Sequence, residues 1–273
     1  MSKEIKQTGA NGDMPRVAIV DLLFCWPPNG GADVDLYNVA AGLCARGMDI
    51  KVFVLRLEGS QGRGRFPAEA MPFPAEAVSV QKEGLQCKGI AAAIKNAVDG
   101  WKPDVVLLAH GFALKAPVAR ALTEYPVIGR YYAHELLCAR DPLRYKNNRP
   151  CNNSIFETPK TCRKCAFESL AREIKSGAPR AWAEEYLVAA AYGHGFHVEM
   201  REAVANMALV IVSNQELADE LAAYAKKILV IPGGTNVRPK KGVGATAERG
   251  RDVEKAIFMP GRVEDPLKGL GVL

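Results

Sequence analysis

The chain has 273 residues, 48% of them hydrophobic and 24% charged, with a formal net charge of +6. This is a soluble globular composition, large enough for one core or one core plus a fragment of another, and its excess of cations favours anionic partners such as nucleotide diphosphates. It carries no recognised nucleic-acid motif, no apolar signal core in its first sixteen residues, and no run near the roughly 20 apolar residues a membrane span needs.

In chain order, residues 1–15 read as a polar, aperiodic leader and the core begins at Arg16. Val17 to Phe24 opens with a buried strand, followed by Pro27-Pro28-Asn29-Gly30-Gly31. Leu36, Val39, Ala40 and Leu43 recur at helical spacing, so a helix follows the two glycines and stops near Arg46-Gly47. Ile50 to Leu55 is the second strand, and Gly59 to Glu76, rich in Gly and Pro, is expected to be loop. Ile90 to Val98 (helix), Val105 to Ala109 (strand), Ala113 to Leu122 (helix) and Ile128 to Tyr132 (strand) continue the alternation. That alternation predicts an α/β fold with a doubly wound, parallel, Rossmann-like sheet.

The stretch from His134 to Pro159 is polar and irregular, too long for an ordinary connection. Helices are expected at Ala166 to Lys175 and at Ala181 to Met207, then a strand at Ala208 to Val212. Ser213 and Glu216 form the pattern of a capping box for a helix through Tyr224, and Ile228 to Ile231 ends this domain as a strand. The organisation expected is a Rossmann-like domain over 16–235 with a cysteine-containing insertion at 136–166, a linker at 236–254, and the first strand and turn of a second, truncated domain at 255–273.

Several residues carry chemistry. Gly30 and Gly31 lie between a strand and a helix start, where free N–H groups and the helix dipole suit an anion; a plain glycine turn is the alternative. Asp33 and Asp35 suit the dipole but would repel a diphosphate unless they point away. No Gly-x-Gly-x-x-Gly is present, which disfavours a dinucleotide. His134 follows a strand, at the edge where ligands gather in such sheets, and an imidazole there can donate to or accept from a sugar hydroxyl. Cys138, Cys151, Cys162 and Cys165 fall in or beside the irregular stretch, and four thiolates suit a structural zinc, with free or regulatory thiols as the alternative. A thioredoxin-like redox role for Cys162 and Cys165 is disfavoured by their placement. His194 and His197 are expected on a helix without acidic or thiol partners, as core or surface groups. At the far end, Ile257-Phe258-Met259 reads as a buried strand, Gly261 as the turn after it, and Arg262 and Lys268 as cations suited to a phosphate.

Five stretches, in order, resemble retaining glycosyltransferases of the GT-B fold, glycosyltransferase family four (group 1). They are Val17–Phe24 with the Gly30-Gly31 loop, Lys102-Pro-Asp-Val-Val-Leu-Leu-Ala-His110, Val127–His134-Glu135, Ala208-Leu-Val-Ile-Val-Ser213-Asn214, and the tail with Gly261-Arg262 and Lys268-Gly269. The resemblance covers most of the chain from Val17 onward. It implies a hexosyltransferase-like enzyme that moves a sugar from a nucleotide-sugar donor to a glycan or lipid-linked acceptor with retention. It further implies that His134 contacts the transferring sugar, that His110 and Glu135 are sugar or acceptor contacts, and that Gly30, Gly31, Arg262 and Lys268 bind the donor phosphates. No metal or other cofactor is required in that class. The family's glutamate pair belongs to the second domain, so this chain by itself is expected to be inactive. A cytoplasmic location is expected, at the inner face of the membrane with peripheral contact. A non-enzymatic Rossmann-like binding module with a metal-clipped cysteine loop is the competing expectation.

Overall fold

The computed structural model describes residues 14–57, 63–81, 87–140, 144–146, 149–177 and 180–234. By its contacts the chain divides into two units, residues 1–235 and 236–273, and every described residue belongs to the first. The linker, the predicted strand near Phe258, Arg262 and Lys268 therefore lie outside the described residues, as does most of the leader.

The first unit is built on a seven-stranded sheet in which every pairing is parallel. Its strands are β1 (Val17–Asp21), β2 (Ile50–Leu57), β3 (Ala75–Val80), β4 (Val105–Leu108), β5 (Val127–Tyr131), β8 (Leu209–Val212) and β9 (Ile228–Val230). They run in the order β3-β2-β1-β4-β5-β8-β9. Between β5 and β8 a two-stranded antiparallel hairpin, β6 (Tyr145–Lys146) and β7 (Arg149–Pro150), stands apart from the sheet. The doubly wound α/β architecture is thus present, with its order reversing between β1 and β4.

Burial on both faces explains why the central strands are unbroken apolar runs. All four residues of β4 are buried, and in β1 the alternation splits Ala18 and Val20 from Val17 and Ile19 into two cores. One core is completed by Leu36 and Ala40 of α1 (Gly31–Cys44). The other is filled by α2 (Cys87–Trp101), α3 (Lys115–Ala121), α4 (Pro159–Lys175), α5 (Ala181–Val188), α6 (Phe196–Asn206) and α7 (Gln215–Leu221). Gly47 follows α1 with φ 79°, and its N–H donates to Cys44 O at 2.9 Å.

Four sequence expectations change. The segment from Gly59 to Glu76 is not all loop, because its end starts β3. Only Val78 and Val80 of that strand are buried, as befits the sheet edge, and Pro74 stands just outside it, where a missing N–H costs nothing and its carbonyl still accepts Val52 N at 2.9 Å. The insertion ends before residue 166, since α4 begins at Pro159 with proline in the helix's first turn. The long helix expected from Ala181 is two, α5 and α6, interrupted where Ala190 adopts φ 49° and Gly193 and Gly195 follow. His194 sits in that interruption and only His197 is helical. The cap of α7 is Asn214 rather than Ser213, with Asn214 Oδ1 accepting Leu217 N at 2.8 Å, while Ser213 Oγ donates to Tyr132 O at 3.2 Å.

Candidate functional site

In an open parallel sheet the crevice for ligands lies at the carboxyl ends of the strands where their order reverses, which places it between β1 and β4. Asp21, the last residue of β1, is 1% exposed and holds this point. Its Oδ1 accepts Leu23 N at 2.8 Å and Phe24 N at 2.7 Å, and its Oδ2 accepts His110 N at 3.0 Å across the reversal. Burial pushes the Asp21 carboxyl up to about 7 against the opposing effect of those amides.

His110, two residues beyond β4, packs edge-on to Phe112 and Tyr132, at ring separations of 5.8 and 5.7 Å. Its Nδ1 is buried without a hydrogen-bond partner. Burial first, then the charges of Lys115 and Arg63, pull the imidazole down to about 3, so it is neutral near pH 7. His110 is therefore a packed element of the strand-end floor.

Beyond β5, Glu135 and His134 have different fates. Glu135 is buried, with Oε1 accepting Tyr132 N at 3.0 Å and Oε2 accepting Ala133 N at 2.8 Å, and Lys115 Nζ lies 3.8 Å away. It is thus turned onto the backbone. His134 is half-buried, with Nε2 unpartnered, and its carbonyl accepts Leu137 N and Cys138 N at 2.9 and 2.8 Å. Burial, and then Arg144, hold its imidazole below the usual range. Among the described residues, one group of His, Cys, Asp or Glu side chains brings three ligand atoms within 4.8 Å of one another: His134, Glu216 and Glu220. Arg144 already pairs with Glu220, so a cation of the protein's own occupies this corner.

Gly30 and Gly31 sit at the start of α1, but the Gly30 amide is already taken by Asp33. Its Oδ2 accepts Asn29 N at 2.9 Å and Gly30 N at 3.0 Å, and its Oδ1 accepts Cys25 N at 3.2 Å. Asp35 points away from the loop and receives the Arg130 guanidinium of β5 in two bonds of 2.7 and 2.8 Å, both partners buried.

Charged residues that sequence reasoning passed over hold these loops. Lys115, 2% exposed, donates to Arg130 O at 2.6 Å and lies 3.7 Å over the Tyr131 ring. Burial brings its ammonium down to about 8. Glu185 of α5 is wholly buried; it accepts Phe112 N at 2.7 Å, Leu114 N at 3.1 Å and Arg63 Nη1 at 3.0 Å. Arg63 also donates to Leu22 O at 2.6 Å, so α5 is tied to the loops after both β1 and β4. Asp21 had a visible sign, a carboxylate ending an apolar strand. Lys115, Arg63 and Glu185 had none, since a lone charge in a sequence is solvated on base rates.

No protein-family model and no curated protein matches the chain. Among solved structures, Anabaena HepE in complex with UDP and glucose aligns over 81% of this chain at 14% identity with a TM-score of 0.43. The chain spans 45% of that structure's length. A Chromobacterium violaceum protein assigned to the isochorismatase family of hydrolases aligns over 50% of this chain and 75% of its own at 14% identity, TM-score 0.30. Likenesses of that size carry no argument about activity, and the fold rests on the strand order itself.

The four predicted cysteines do come together. Cys138, Cys151, Cys162 and Cys165, all half-buried and none in a disulfide, line one cavity of about 30 Å³. A larger cavity, about 220 Å³, opens between Arg120, Val127, Asn206 and Lys226, at the amino ends of β5 and β8 and hence at the opposite edge from the strand-end loops. No described helix is long and apolar enough to cross a membrane.

Proposed function

We propose that the chain is the acceptor-side part of a glycosyltransferase that moves a sugar from a nucleotide-sugar donor to a glycan or lipid-linked acceptor with retention, as in glycosyltransferase family four. One observation carries this reading. The stretches that resemble that family are spread over some two hundred residues, yet four of them end at the carboxyl ends of β1, β4, β5 and β8, which are neighbours in that order. That is the edge at which open α/β sheets bind their ligands.

Within this reading His134 meets the transferring sugar. A neutral imidazole can donate from one nitrogen and accept at the other, and its lowered basicity keeps it neutral at pH 7. Gly30 and Gly31 close over the diphosphate once Asp33 releases the Asn29 and Gly30 amides. Arg262 and Lys268 neutralise the diphosphate as it leaves, which is electrostatic stabilisation of a leaving group and needs no metal. Glu135 and His110 act at one remove, Glu135 by fixing the Tyr132–His134 turn and His110 by filling the floor beneath it.

The test uses the product of the complete reading frame with a panel of UDP-, GDP-, ADP- and dTDP-sugars, reading nucleotide release with and without lipid-linked glycan acceptors. Turnover of one donor, reduced about 10²- to 10³-fold by Arg262→Ala or Lys268→Ala, is the expected result. Failure to bind or turn over any nucleotide sugar sinks the reading.

A further inference from the structure

We propose that Cys138, Cys151, Cys162 and Cys165 form a structural zinc site that pins the segment between β5 and α4 against the strand-end loops. The four thiols reach one cavity from three separate pieces of chain. Cys138 lies in the turn after His134, Cys151 directly follows the β6–β7 hairpin, and Cys162 and Cys165 stand three apart in the first half of α4, on neighbouring positions of one helix face. Convergence of all four is not a consequence of sequence proximity.

The cavity measures about 30 Å³, which is room for an ion. Thiolate ligands select zinc among common divalent cations, and a four-cysteine set without an open position is the closed, structural kind. Binding replaces four S–H bonds by four Zn–S bonds of about 2.3 Å and releases four protons, leaving a site of net charge −2. Two cations of the cavity wall, Arg144 and Lys146, are placed to offset that charge. Arg144 also keeps a buried Nε–H with no partner, a donor suited to a thiolate sulfur. Outer partners for two sulfurs are already in place, Asn153 Nδ2 donating to Cys151 Sγ at 3.7 Å and Thr158 Oγ1 lying 3.6 Å from Cys162 Sγ. No three of the four sulfurs lie within 4.8 Å of one another, so binding would draw them inward. Because Cys138 N–H bonds to His134 O, the ion would also fix the turn that carries His134. None of this depends on what the sheet edge binds.

The experiment is metal analysis of the full protein purified under reducing conditions without added metal, followed by replacement of the bound ion with Co²⁺. The expected result is about one zinc per chain and, after exchange, the absorption bands of tetrahedral cobalt thiolate. Cys138→Ser and Cys165→Ser should each abolish the bands, whereas Cys44→Ser, on α1, should leave them intact. Should the serine variants not fold, the unaltered protein still decides the matter. Chelation should make the four thiols reactive to an alkylating probe, located by peptide mass, and open the 134–165 segment to protease. A folded protein with neither metal nor cobalt bands overturns the proposal, as does an iron–sulfur chromophore, a disulfide within the four, or alkylation unchanged by chelation.

Discussion

The strand-end loops and the cysteine segment lie next to each other in the chain and are held in opposite ways. At the strand ends the connections are tied by buried carboxylates, and each one closes on several donors at once: Asp21 on three amides, Glu135 on two amides, Glu185 on two amides and Arg63. The cysteine segment has a hairpin of two residues per strand, an Arg144–Glu220 pair with Glu220 one-third exposed, and four thiols around a small cavity. One region is tied by its own buried carboxylates. The other is arranged around something the polypeptide does not supply. A close relation between segments in sequence is therefore no guide to whether they share a source of rigidity.

The comparison breaks first at Glu185. Glu185→Ala leaves the Phe112 and Leu114 amides without their acceptor and takes one of two carboxylates from the buried Arg63 guanidinium, which keeps Glu184, and should cost about 3 kcal/mol in denaturant unfolding. Arg144→Ala removes the corresponding cation of the cysteine segment but leaves Glu220 within reach of water, and a loss of about 1 kcal/mol is expected. Equal losses would mean that the two regions are not held differently.

Acidity sharpens the comparison from within the strand-end region. His110 has its folded value, about 3, below the ordinary 6.5, so between those limits the unfolded chain takes up a proton and stability falls as pH falls. Asp21 has its folded value, about 7, above the ordinary 3.8, so between those limits the folded chain holds an extra proton and stability falls as pH rises. From about pH 4 to 6.5 the two slopes oppose each other. Asp21→Asn should unmask the histidine and add a slope of up to about 1.4 kcal/mol per pH unit, with lower stability at the acid end. An unchanged slope in that variant would show that the three amides keep Asp21 ionised throughout. Asn214→Ala should cost about 1 kcal/mol for the lost cap of α7, measured by thermal unfolding.

Much of the sheet was legible because buried parallel strands announce themselves. Val17–Asp21, Val105–Leu108 and Leu209–Val212 are short apolar runs between helical periodicities, and their order follows from alternation. β3 was hidden because an edge strand buries only part of one face and this one abuts prolines. The break between α5 and α6 was hidden because alanine-rich sequence keeps its helical pattern through a left-handed residue. Of the site, the glycines and histidines were visible as types placed after strands. What each one does locally was not. Asp33 spends its carboxylate on the loop that would receive a phosphate, Glu135 faces the backbone, and the charges that hold the edge together come from Arg63, Lys115 and Glu185, far apart in sequence.

The wholly parallel pairing also sets a timetable. Val17 pairs with Val105, and Ile128 with Leu209, so neither side of the sheet's centre can be completed by neighbouring chain. As the protein emerges from the ribosome, β1 and β2 can join early, but β1 keeps one edge bare until β4 has been made, and β5 waits through the whole cysteine segment for β8. Such long loop closures slow folding and leave apolar strand edges uncovered meanwhile. Fastening of the segment between β5 and β8 would shorten the second of those waits.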